Sequence, residues 1–246
     1  MRWEGRRRSS NVEDRRGAPV RRGMVGGGLG TILIVLVALY FGVDPTPLLS
    51  PGSPLAGGGA PAEGPPLAGD ADPAAQFIAV VLADTEDVWT EVFAEGGETY
   101  AAPTLVLFSG AVQSACGFAQ AAVGPFYCPA DRKAYIDLSF YEELKTRFAA
   151  PGDFAEAYVL AHEVGHHVQN LLGISGQVQA ARQRLGAAEA NALSVRLELQ
   201  ADCLAGVWAN RADRASGILE AGDIEEALVA ASAIGDDRLQ MQAQGY

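Results

Sequence analysis

Ala161-His-Glu-Val-Gly-His-His-Val-Gln169 is the stretch on which the reading of this chain turns. It sits in a segment, 153–173, whose apolar periodicity predicts a helix. Asp153 with Glu156 three residues on resembles a capping box, and Gly173 closes the segment. On a helix, His162 and His166 stand one turn apart on one face, close enough to hold a single ion. Imidazole nitrogens joined by a carboxylate suit Zn²⁺ in a tetrahedral site that leaves one position for water. Glu163 is directed beside that water rather than onto the ion, so it can accept the water's proton and deliver it to a leaving amine. The pattern fixes only three residue types, and a polar surface helix is the plain alternative. Against it, Leu160, Val164, His167, Val168, Leu171 and Leu172 make a broad side opposite the stripe Tyr158, His162, His166 and Gln169. All three histidines of the chain lie in this turn and a half. His167 faces away from the other two and reads as a supporting residue.

A hydrolytic zinc site needs a third protein ligand, and no histidine or CxxC pair remains to supply it. Arg196-Leu-Glu198-Leu-Gln-Ala-Asp202-Cys-Leu-Ala-Gly206-Val-Trp208 reads as part of a second helix, about 189–213. Glu198 and Asp202 share a face. One can reach the ion while the other accepts the free ring N–H of a ligating histidine and fixes its tautomer. A solvated acidic face is the ordinary use of such spacing. Leu197, Leu199, Leu204 and Val207 instead predict a largely buried helix, in which two carboxylates without a cation would be costly. Ala201, Ala205 and Gly206, facing Gly165, would let the two helices approach closely.

The rest of the 246-residue chain divides by composition. Residues 1–22 form a basic head, and residues 1–43 carry eight Arg against Glu4, Glu13 and Asp14. Gly23 to Val43 is 21 residues without a charge, long enough for one transmembrane helix. The positive-inside rule then puts the head in the cytoplasm and everything after Asp44 outside the cell membrane. A cleaved signal peptide is the rival, but Tyr40-Phe-Gly-Val-Asp-Pro45 offers no small-x-small site. Residues 44–73 hold eight Pro and six Gly and predict a disordered, extended tether. Residues 74–246 make one domain. Its first helix, 74–95, opens behind Asp72-Pro73, strands are expected at 104–108 and 134–138, and helices follow. Strands first and helices after them predict an α+β domain. A net charge of −12 excludes general nucleic-acid binding. Cys116 and Cys128 bracket a short loop and predict a disulfide, worth about 3 kcal/mol on the chain-entropy model. Cys203 is left over and reads as a small core residue. Gly124-Pro-Phe-Tyr-Cys-Pro129 is either an extended edge to which a substrate backbone can add or a turn stapled by that disulfide.

His162 to His166 followed by Glu198-x-x-x-Asp202 resembles the gluzincin arrangement of zinc metallopeptidases. More narrowly, the chain resembles a bacterial membrane-anchored neutral zinc metallopeptidase family. The matching stretches include Met1-Arg-Trp-Glu-Gly-Arg-Arg7, Asn11 to Arg16, Gly124 to Asp131, Tyr135 to Leu138, Ala161 to Gln169, Glu198 to Cys203 and Ile234 to Arg238. The resemblance implies a zincin-like fold, an N-terminal membrane anchor and one zinc ion held by His162, His166 and Glu198. It implies Glu163 as catalytic base, Asp202 as the support of an imidazole, and a peptide or unfolded protein as substrate. Members of that family usually continue past the position of Tyr246 with a Thr-His-Gly sequence, an Arg, a Trp-Phe pair and a further Cys. If that segment supplies the oxyanion donor, the in-chain substitutes are Tyr127, Tyr135, Tyr158 and Arg196, each with packing as its plainer role. Two rivals to a peptidase stand beside it: a zinc-stabilised binding module at the cell envelope, and a hydrolase of non-peptide amides or esters.

Overall fold

Asp72 accepts hydrogen bonds from the amides of Ala74 and Ala75, and Pro73 takes the first helical position, so helix α1 (Pro73–Glu95) starts where capping chemistry predicts. The protein is seen in a computed structural model that describes residues 1–17, 72–121 and 124–243, the last ten of these by backbone only. The strands are β1 (Val12–Asp14), β2 (Thr104–Phe108), β3 (Ala111–Ser114), β4 (Gly117–Gln120), β5 (Phe126–Cys128) and β6 (Lys133–Asp137). Four of them form a sheet in the order β1-β2-β6-β5. The pairs β1·β2 and β2·β6 are parallel, and β5 runs antiparallel to β6. Strands β3 and β4 make a separate hairpin.

Apart from Thr104, Lys133 and Asp137 at their ends, the central strands β2 and β6 are apolar because both faces are covered. Leu105, Leu107, Ala134 and Ile136 point into the main core against the helices, whereas Val106, Phe108 and Tyr135 join Val112 and Cys128 in a smaller cluster. After the sheet come α2 (Ser139–Thr146), α3 (Asp153–Leu171), α4 (Ile174–Arg182), α5 (Ala187–Ser216) and α6 (Asp223–Ala243). The α+β class is as expected. Helix α3 is the hub, packed against α1, α5 and α6 and against β5 and β6, so nearly its whole circumference is buried. Its start differs from the expected capping box. The carboxylate of Glu226 on α6 accepts from the Phe154 amide, and Glu156 pairs with Lys145 at 3.0 Å. Gly152 turns at φ 123°, and a Cβ there would fall 2.0 Å from the Glu226 carboxylate.

Helix α5 corrects a second expectation. It buries only the stripe Ser194, Ala201, Ala205, Trp208 and Ala212. Leu199 is 61% exposed, and Cys203 is exposed rather than in the core. The predicted bridge between Cys116 and Cys128 is present.

The largest departure is at the N-terminus. Residues 1–17 are not a separate head; they belong to the same compact unit as the helices. Val12, Glu13 and Asp14 pair in register with Leu105, Val106 and Leu107. Met1 is buried in the main core and Trp3 packs on Phe77. The arginines that read as a cytoplasmic signal are spent on this domain: Arg6 binds Asp84 at 2.9 Å, and Arg7 binds Glu86 at 3.0 Å and Asp87 at 2.7 Å. Glu86 also accepts from Ser9 and Asn11. Arg16 bridges Asp14 and Asp72, so the chain leaves at Gly17 and returns at Asp72 beside one guanidinium. The expected span 23–43 and nearly all of the linker 44–73 lie outside the described residues. Among the described residues no helix is long and apolar enough to cross a membrane. Strand β1 can pair with β2 only if both are on one side of a bilayer. The expected arrangement, with head and domain on opposite faces, is therefore incompatible with this sheet.

In a Cys203→Ser background, single cysteines replacing the exposed Ser10 and Glu98 are expected to react with a membrane-impermeant maleimide from the same side of sealed vesicles. Labelling from opposite sides would contradict the strand pairing.

Candidate metal centre

Helices α3 and α5 touch where neither has bulk. A Cβ on Gly165 would lie 2.9 Å from the carbonyl oxygen and 3.2 Å from the Cα of Ala201, so only glycine permits this approach. The contact brings the predicted ligands together. The Nε2 atoms of His162 and His166 lie 3.2 and 3.3 Å from the same Glu198 oxygen, Oε2. Ligand atoms on a tetrahedron around zinc are separated by about 3.3 Å, given metal–nitrogen bonds near 2.0–2.1 Å. His162, His166 and Glu198 thus offer three ligand atoms within 4.8 Å of one another.

The partners behind the imidazoles fix which lone pairs face this point. His162 Nδ1 lies 2.7 Å from Asp202 Oδ1, an acceptor, so Nδ1 carries the proton and Nε2 offers its lone pair toward Glu198. Tyr158 donates its hydroxyl to the same carboxylate oxygen. Burial works to raise the Asp202 pKa, but the hydrogen bonds from His162 and Tyr158 outweigh it and hold the carboxyl below its ordinary value. Two imidazole lone pairs and a carboxylate at this spacing repel one another unless a cation sits between them, and the donor set is one that zinc takes. Glu163, next along α3 from His162, is buried, while Glu198 and Asp202 keep about a third of their side-chain surface exposed.

His166 has a partner that residue spacing did not single out. Its Nδ1 donates to the Gln169 carbonyl oxygen at 2.9 Å. The Gln169 amide nitrogen donates to the Leu197 backbone carbonyl at 2.7 Å and to Gln200 Oε1 at 3.1 Å. The Leu197 carbonyl can only accept, which fixes the orientation of the amide. Gln169 is wholly buried and links the ring of one candidate ligand, His166, to the residue just before another, Glu198. A glutamine three residues after the candidate ligand His166 on one helix was the available signal.

The four candidate oxyanion donors are engaged or exposed. Tyr127 bonds His167, Tyr135 donates to Asp131, Tyr158 donates to Asp202, and Arg196 is exposed. Among them only Tyr158 reaches the ligand set, through Asp202. A second acidic group among the described residues, Asp153, Asp223 and Glu226, has other duties. Asp153 and Asp223 face the Met1 amine, and Glu226 caps α3.

Set beside this geometry, the likeness to known proteins is specific. Residues 1–246 match the family described as "Putative neutral zinc metallopeptidase". The chain is 51% identical over 254 aligned residues to the Escherichia coli K12 protein YpfJ, covering all of this chain and 87% of that protein. It is 50% identical over 156 residues to Mycobacterium bovis Mb2605 and to Mycobacterium tuberculosis Rv2575, covering 59% of this chain and 52% of each relative. All three relatives carry the designation uncharacterized. No solved structure matches the chain. The chain belongs to this zinc metallopeptidase family.

Replacing Gln169 with Met, similar in length and without the amide, is expected to weaken zinc binding about 10- to 100-fold in chelator competition. Unchanged affinity would show that Gln169 does not orient His166.

Proposed function

We propose, from that family membership, that the chain is a peptidase in which His162, His166 and Glu198 hold one zinc ion and Glu163 is the general base. The observation that carries this reading is the convergence of two imidazole nitrogens and one carboxylate oxygen at tetrahedral spacing, beside a buried glutamate. When bound, zinc supplies a Lewis acid and makes water nucleophilic near neutral pH. Glu163 takes the proton of the attacking water and hands it to the departing amine. Asp202 and Gln169 hold the rings of His162 and His166 with Nε2 turned to the centre. A binding module with a closed structural site would have no use for Glu163 in this place.

Strand β5 gives the substrate its path. It ends the sheet order, lies beside α3, and has no further strand on its outer side among the described residues. Within Gly124–Pro129 the residues Phe126–Cys128 are extended, and Cys128 at the end of β5 is stapled to Cys116. An extended peptide adding to β5 runs its backbone past the imidazoles, with main-chain hydrogen bonds supplying affinity without a demand on side chains. Unfolded protein chains fit that mode. The disulfide supports a domain on the oxidising side of the cell membrane, and residues 1–17 belong there with it.

Glu163→Gln preserves shape and removes the base. Zinc content and thermal midpoint should stay near those of the parent, while hydrolysis of unfolded casein falls by about 10² or more. Turnover equal to the parent's would reject Glu163 as the base.

A further inference from the structure

One turn of α3 faces two ways. His166 and Gln169 look toward α5 and the metal ligands, whereas His167 and Asn170 look toward β5. His167 is fully buried, and its Nε2 lies 2.7 Å from the carbonyl oxygen of Ala101. A carbonyl only accepts, so Nε2 carries the proton. The Asn170 amide donates to the Tyr127 hydroxyl oxygen, which leaves that hydroxyl's own proton for His167, so Nδ1 is an acceptor. The Tyr127 hydroxyl, 2.9 Å away, donates to it, and the Asn170 amide donates to the same hydroxyl oxygen at 3.0 Å. Burial raises the Tyr127 phenol to about 12, so it keeps its proton. The rings of Tyr100 and Tyr127 stand edge-on to the imidazole at 5.8 and 5.4 Å. Every polar atom in this chain of bonds has a donor or acceptor of the required kind, and Tyr127 is the middle residue of β5.

From this arrangement we infer that Tyr127, His167 and Asn170 are positioning residues that set the height of β5 against the metal helix and thereby select which bond of an added peptide meets the metal centre. None of the three touches the reacting atoms. They act because the residue joined to His167 in the chain is the ligand His166, so a shift of β5 relative to α3 is a shift of the peptide relative to the ligands. Displacements on the order of 1 Å are enough to cost a reaction 10²-fold. Ordinary packing would hold β5 against α3 with apolar contacts alone. A buried imidazole satisfied at both nitrogens holds it at one height, because sliding the strand breaks a directional bond inside a low-dielectric interior. This inference rests on the peptidase reading and on peptide addition along β5.

The test uses the full-length zinc-loaded protein with unfolded casein, the cleaved bonds being located by mass spectrometry. Tyr127→Phe removes one hydroxyl and is expected to lower kcat at least tenfold, with a smaller change in KM, and to spread cleavage over neighbouring bonds. Its zinc affinity should stay within threefold of the parent's. His167→Gln, which keeps an acceptor and a donor, should restore the parental cleavage pattern relative to His167→Leu. Tyr135→Phe is the control: it removes the bond to Asp131 from the adjacent strand and should leave the cleavage pattern unchanged. If the parent cleaves casein and Tyr127→Phe cleaves the same bonds at the same rate, the positioning role is overturned and the peptidase reading stands. If the zinc-loaded parent cleaves no peptide bond at all, both are overturned.

Discussion

The structure depends on the contact between Gly165 and Ala201. Two helices meet at backbone distance there, and this alone lets side chains from both reach a common point. Had either position carried bulk, the imidazoles of α3 and the carboxylate of α5 would stand too far apart to share an ion. The helices are further joined across the contact by buried polar bonds, His162 to Asp202 and Gln169 to the Leu197 carbonyl. These bonds are made only when the helices are in register, so packing and ligand orientation are one event. Bringing three lone-pair donors together is costly unless a cation offsets it. A metal bound there would stabilise the folded state as well as serve the chemistry.

What is legible in the sequence is what is local. Pairs four residues apart on a helix define a face whatever lies opposite, so His162 with His166, and Glu198 with Asp202, can be read from spacing alone. Asp72-Pro73 marks the start of α1 for the same reason. Gln169 is visible as a polar residue on the right stripe, but its function requires a carbonyl from another helix, which no spacing reveals. The exposure of Leu199 and Cys203 is not legible in this way. Apolar residues along α5 suggest burial, whereas α3 covers only one narrow stripe of that helix.

The N-terminal strand is illegible for a physical reason. Val12-Glu-Asp14 is short, two-thirds acidic and set among arginines, and nothing in it favours a strand. It becomes one because β2 offers an edge and because α1 presents Asp84, Glu86 and Asp87 to the guanidinium groups of Arg6 and Arg7. A run of arginine before an apolar stretch carries two meanings, a topological signal and a set of ion-pair partners. Here the partners account for Arg6, Arg7 and Arg16, and Arg15 pairs with Glu13. The three-residue β5 is equally weak as a pattern, and its place at the end of the sheet follows from antiparallel pairing with β6.

The central claim is that one zinc ion is gripped by two imidazoles from one helix and a carboxylate from the other. Diffraction from zinc-loaded crystals, collected on both sides of the zinc absorption edge, tests it most directly. The account predicts one anomalous peak about 2.0–2.2 Å from Nε2 of His162, Nε2 of His166 and a carboxylate oxygen of Glu198. A peak ligated by the acidic group of Asp153, Asp223 and Glu226, or a zinc ion without Glu198 in its coordination, would contradict it.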